Sequence, residues 1–202
     1  DHRHREILKQ EFAGVVFAGR LPTANTSQLW RSDGTAAGTI ELPSTQLQSS
    51  NPSNLVAFGN AVLYQASTND FGAELLISDG TLGGTRMLAD IAGNRGDTPI
   101  GAMATLGTRL FFGASTPALG NEPWLSDGTT LGTNVLMDIH PQSGSSSPIS
   151  PVMWRGAMWF GGYWPSKGIE LLRTDGTAAG TALGIDVEPG VGNSGPRPLT
   201  PV

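Results

Sequence analysis

The clearest rhythm along the chain is a run of short apolar stretches, each cut by Gly, Asn or Asp. Leu55-Val56-Ala57-Phe58 closes on Gly59-Asn60, a pair favoured in tight hairpins. Val62-Leu63-Tyr64-Gln65-Ala66 follows, then a polar loop through Asn69-Asp70. Glu74-Leu75-Leu76-Ile77 meets Asp79-Gly80, and Arg86-Met87-Leu88-Ala89-Asp90-Ile91 is the fourth stretch. Linkers rich in Pro and Gly then lead into the next cycle. No window keeps apolar residues at i, i+3, i+4 and i+7 over three turns, so helices are not expected. Four sequential strands joined by short turns read as an antiparallel meander.

The cycle repeats. Ser32-Asp33-Gly34-Thr35 returns as Ser78-Asp79-Gly80-Thr81, Ser126-Asp127-Gly128-Thr129 and Thr174-Asp175-Gly176-Thr177, at intervals of 46, 48 and 48 residues. A second Gly-Thr follows each time: Gly38-Thr39, Gly84-Thr85, Gly132-Thr133 and Gly180-Thr181. Five residues before each Asp stands Gln28, Glu74, Glu122 or Glu170. A four-stranded unit of this length cannot bury both its faces alone, so the copies must stack. The expected fold is all-β: a β-propeller of four-stranded antiparallel blades, in one domain over residues 1–202. The blades fall near 6–50, 51–97, 98–146 and 147–196, with 197–202 as an extra strand or tail. Glu6–Phe12 fills the first-strand place of copy one, and Pro198–Val202 looks like the same strand of a fifth. The tail is compatible with a longer array, a closed four-blade ring or exchange between chains; the closed ring is the expectation.

The motif Gln28-Leu29-Trp30-Arg31-Ser32-Asp33-Gly34-Thr35 and its three echoes resemble the bacterial ELWxxDGT-repeat family. The resemblance covers nearly the whole chain. It implies a propeller module of a secreted or cell-surface bacterial protein, with no defined activity. Gln28, Pro123, Leu76 and Leu172 depart from the motif, which argues against a catalytic role for any one motif side chain.

Composition narrows the picture. Apolar residues are 38% of the chain and charged residues only 14%, while Gly (28) and Pro (14) supply many turns. No stretch nears the roughly 18 apolar residues of a membrane span. A net charge of −5 without a basic run argues against nucleic acid. With no Cys there is no disulfide, thiol nucleophile or Cys-based zinc site.

The turn residues Asp33, Asp79, Asp127 and Asp175 read as scaffold: Asp accepts hydrogen bonds from the backbone just after it, and Gly supplies positive φ. Calcium is the ion such loops would hold if they held any, but no cofactor is expected. In a meander blade the 3–4 turn lies on the opposite face from the 2–3 loops and linkers, where ligands are expected. Trp30, Trp124, Trp154 and Trp159 recur at apolar positions and are expected in the core. Trp159 is aligned with Phe17, Leu63 and Phe111, and Trp154 with Phe12, Phe58 and Leu106. Tyr163 and Trp164 fall in the 2–3 loop of copy four, and aromatic faces suit a sugar ring. Sealing a blade junction is the competing role for Trp164. Arg95-Gly96-Asp97 spells an integrin-type tripeptide, a short match with a high false-positive rate. His2 and His4 could take adventitious metal only.

A Ser-His-Asp triad would have to use His140, in the linker before copy four. Glu74, Glu122 and Glu170 could serve glycoside hydrolysis, but their recurrence points to structure. The expectation is therefore not an enzyme but an extracellular binding module. It would recognise carbohydrate through the loop face, with Trp164, Tyr163 and His140 as the ligand-binding candidates. The alternative is an assembly propeller making protein–protein contacts, as a homo-oligomer or within a longer array.

Overall fold

The computed structural model describes residues 14–20, 25–43, 50–93, 96–197 and 199–200. The described residues are all-β, with fifteen strands in four antiparallel sheets, each in sequential order. The first sheet holds β1 (Val15–Gly19), β2 (Gln28–Ser32) and β3 (Ile40–Glu41). The second holds β4 (Ser50–Phe58), β5 (Ala61–Thr68), β6 (Gly72–Ser78) and β7 (Thr85–Ala89). The third holds β8 (Ile100–Leu106), β9 (Arg109–Thr116), β10 (Gly120–Ser126) and β11 (Asn134–Val135). The fourth holds β12 (Ile149–Trp154), β13 (Ala157–Trp164), β14 (Gly168–Thr174) and β15 (Ala182–Ile185). We number these sheets as blades 1 to 4. The first strand expected at Glu6–Phe12 lies outside the described residues, as do His2, His4 and Arg95.

Alternation along each middle strand sends one set of side chains to each neighbouring blade. In β5, Val62, Tyr64 and Ala66 join Leu76 against Leu29 and Leu42 of blade 1. Leu63, with Leu75 and Ile77, faces Ile100, Leu110 and Phe112 of blade 3. The seam between blades 3 and 4 repeats this, with Leu106, Phe111 and Leu125 on Met158, Phe160 and Leu172. The core is thus three slabs between sheets, not one centre.

Register corrects one sequence alignment, and exposure corrects one core expectation. Phe17 pairs with Trp30 as Tyr64 pairs with Leu76, so Phe17 matches Tyr64, and Val16 is the true counterpart of Leu63. Phe17 and Trp30 therefore lie on the face of blade 1 that points away from blade 2. Trp154 is not core: its counterparts Phe58 and Leu106 are covered by the following blade, but Trp154 is exposed. A cation over a ring instead covers part of it, with the Arg155 guanidinium 4.5 Å from the ring centre.

Candidate functional site

The Asp-Gly-Thr segments join strands three and four of each blade, and their side chains are taken up within the turn. Oδ1 of Asp127 accepts from the Thr129 backbone N–H at 2.9 Å and from its hydroxyl at 2.7 Å. Asp33, Asp79 and Asp175 repeat both bonds. These bonds hold the Asp33, Asp127 and Asp175 carboxyls below their ordinary value, the Thr hydroxyl contributing most. The second glycine is required by the same side chain: a Cβ on Gly132 would lie 2.0 Å from Asp127 Oδ1. Among the described residues no cluster of three His, Asp or Glu side chains could hold a metal ion.

The three glutamates are fully buried and tie strand three to the outgoing linker. Glu122 accepts from the N–H groups of Ile139, His140 and Ser146 and from the Ser146 hydroxyl at 2.7 Å. Glu74 accepts from Ile91 N–H and the Thr98 hydroxyl, and Glu170 from Val187 N–H, Ser194 N–H and the Ser194 hydroxyl. Burial pushes Glu74 up to about 7, against the pull of Ile91 and Thr98, with Asp90 and Asp97 adding to the rise. Burial also raises Glu122. At Glu170 burial works upward too, but the Ser194 and Val187 bonds outweigh it and the value falls.

On the linker face, at the seam of blades 3 and 4, two of the three predicted binding residues come together. The His140 and Tyr163 rings stack with centroids 4.6 Å apart and planes inclined by 27°. Sequence distance hid this pairing, since one ring comes from a linker and the other from β13. The loop folds tightly enough to present the imidazole: Ser145 N–H donates to His140 Nδ1 at 3.2 Å. A Cβ on Gly144 would meet the ring at 2.5 Å, so only Gly fits beneath it. Tyr163 is held by its own backbone N–H, which donates to Ser146 O at 2.7 Å. Around the pair lies a cleft of ≈ 340 Å³ that also takes in Ser145, Ser147, Ile149, Ile169 and Arg197. The Ser147 and Arg197 side chains are exposed and make no hydrogen bond among the described residues, so the cleft offers a hydroxyl and a guanidinium beside its rings. Sequence reasoning missed both; neither position is distinctive until the linker folds over β13.

The matching positions at the seam of blades 2 and 3 are Ala92 and Ser115, which cannot stack. The aromatic pair is therefore a departure from the repeat. Trp164 takes a different place from the one expected. It ends β13 instead of standing in a loop, half-buried and packed against the slab between blades 3 and 4. Its position is that of Thr68 and Thr116, whose hydroxyls accept from the following turn; here the Trp164 carbonyl accepts from Lys167 N–H instead. Asp97 of the integrin-type tripeptide is occupied as well, accepting from Ala73 N–H at 2.8 Å.

No family model and no curated protein matches this chain. Among solved structures it is similar to an alpha-L-arabinofuranosidase (CtGH43) from Clostridium thermocellum. Identity is 13%, 92% of this chain and 74% of the other are covered, and the TM-score is 0.33. That likeness corrects the expectation that the chain is not an enzyme, because the matched protein is a glycoside hydrolase. At this TM-score it carries no argument for an activity, and it assigns this chain neither substrate nor catalytic residue.

Proposed function

We propose that this chain binds carbohydrate on its linker face, in the cleft between blades 3 and 4. The observation that carries the reading is the His140–Tyr163 stack, two rings placed where the seam of blades 2 and 3 carries Ala92 and Ser115. Flat, rigid rings offer contact area to the C–H face of a sugar at low entropic cost. The Ser147 hydroxyl and the Arg197 guanidinium supply donors suited to sugar hydroxyls at the rim. Glu122, which bonds to His140 and Ser146 of the cleft, already accepts four bonds from the outgoing linker, so it serves as support for that linker. An extracellular or cell-surface setting belongs to the same reading, as the place where glycans are met.

The test is a glycan-array screen of the purified chain beside a double variant, His140→Ala with Tyr163→Ser. These substitutions restore the residue types of the preceding seam and leave the blade cores untouched. Expected is binding by the parent that weakens at least about tenfold in the variant, in line with loss of one or two aromatic contacts. Silence from a folded parent, or equal binding by both, would refute the assignment.

A further inference from the structure

The three seams inside the chain share one arrangement, with the arginine drawn from β2, β7 or β9. The outward face of one blade takes the inward face of the next, and an arginine crosses to the glycine carbonyl of the next blade's Asp-Gly-Thr turn. Arg31 reaches Gly80 O at 2.8 Å, Arg86 reaches Gly128 O at 3.0 Å and Arg109 reaches Gly176 O at 2.9 Å. The glycine itself rests on the preceding blade. A Cβ on Gly128 would meet Phe58 at 3.0 Å, and one on Gly176 would meet Leu106 at 2.9 Å.

Among the described residues, two faces lack that cover. On the outward side of blade 4, Val152, Trp154, Trp159, Leu171 and Ile185 line an apolar cleft of ≈ 260 Å³, shared with Leu199 and Thr200. Trp154 is 36% exposed there and Ile185 is 50%. Arg173 stands in the register of Arg31 yet is exposed, its guanidinium without a hydrogen bond or ion pair among the described residues. On the inward side of blade 1, Val15 is 62% and Phe17 37% exposed, where their counterparts Val62 and Tyr64 are 8% and 1%. Gly34, the turn glycine of that blade, has nothing within 4 Å of a built Cβ. Each bare face has the shape and chemistry that the other's counterparts already bury.

We propose that these two faces dock on each other between copies of this chain, blade 4 of one copy receiving blade 1 of the next. Trp154 then covers Gly34 as Phe58 covers Gly128, and Arg173 reaches the Gly34 carbonyl as Arg31 reaches Gly80. Leu199 already lies in the register of Leu55 and Met103, which pack back on the preceding blade at the earlier seams. The occupant is a second copy because the seam continues three others in kind, and because the described residues of one chain leave both faces exposed. Tryptophan and arginine at the centre of such a contact are the residue types that dominate interface energetics. The contact joins unlike surfaces, so assembly runs head to tail.

Sedimentation velocity of the full chain over a wide concentration range tests this. The average mass should rise above the monomer value with concentration. Phe17→Asp blocks one face and Trp154→Asp the other. Both positions are more than a third exposed, so both variants should keep the parent's far-ultraviolet circular dichroism and stay monomeric alone. Mixed in equal amounts they should form one-to-one dimers and nothing larger, since each keeps one sound face. A parent that stays monomeric at about 100 µM overturns the proposal; so does a mixture that stays monomeric, or a Phe17→Asp variant that self-associates alone. Arg173→Glu, a surface change that leaves the apolar contact intact, should weaken the parent's assembly at least about tenfold; parental assembly in this variant counts against the arginine contact.

Discussion

Blades 1 and 3 differ at the position whose side chain fastens the outgoing linker of blade 3. In blade 3 the Glu122 carboxylate collects four hydrogen bonds, two of them from Ser146. In blade 1 the same position is Gln28, and the residue 24 places on, which is Ser146 in blade 3, is Pro52. Pro52 has neither a hydroxyl nor an N–H to give. Gln28 bonds instead to the Thr26 hydroxyl beside it. The neighbouring tie survives in both: Ser27 N–H donates to Asn51 as Asn121 N–H donates to Ser145. A buried carboxylate is thus kept where its donors are kept, and it is gone where they are gone. That fits the cost of leaving a buried charge without partners.

The largest effect that would break this contrast is Glu122→Ala. It strands four donors in a buried seam, and the loss should be about 4 kcal/mol by chemical denaturation. A loss below about 1 kcal/mol would mean the linker finds other acceptors. A smaller effect comes from pH. The folded Glu74 carboxyl titrates at about 7 against an ordinary 4.5, so between those values the folded chain holds a proton that the unfolded chain has released. Its contribution is complete below the lower value and drains away as pH rises toward the upper one, by at most about 3 kcal/mol. Glu122 adds a change of the same sign. Denaturation midpoints should therefore fall from pH 5 to pH 8 and flatten in Glu74→Gln; midpoints that climb over that range would contradict the assignment. The smallest effect sharpens the comparison. Gln28→Glu should cost about 1 kcal/mol, and Pro52→Ser should recover part of it in a double-mutant cycle. Additive effects would show that the two positions do not communicate.

The repeat was legible because its turns are local. Asp127 and Thr129 sit two residues apart and bond to each other, so the motif and its role coincide in sequence. The glutamate role was half legible, since recurrence marked it as structural but could not name Thr98, Ser146 and Ser194 as its partners. The faces were harder to read. Phe17 was aligned one residue out because strand register is fixed by pairing with Trp30. Trp154 looked like core because its counterparts are, and their cover comes from the next blade, not from their own strand. His140 and Tyr163 each drew attention separately, but only the folding of the linker over β13 brings the rings together.

The arginine contacts across the seams have a consequence for how such a chain can change over generations. Each arginine ends on a main-chain carbonyl, the Gly of an Asp-Gly-Thr turn, and every copy has one. The acceptor survives any side-chain drift that spares the turn. A duplicated or deleted copy therefore meets a familiar acceptor on its new neighbour, whichever copy that is. Array length can vary by whole units while the arginine contact keeps its acceptor, and side-chain novelty such as the ring pair between blades 3 and 4 can settle at one seam without disturbing the rest.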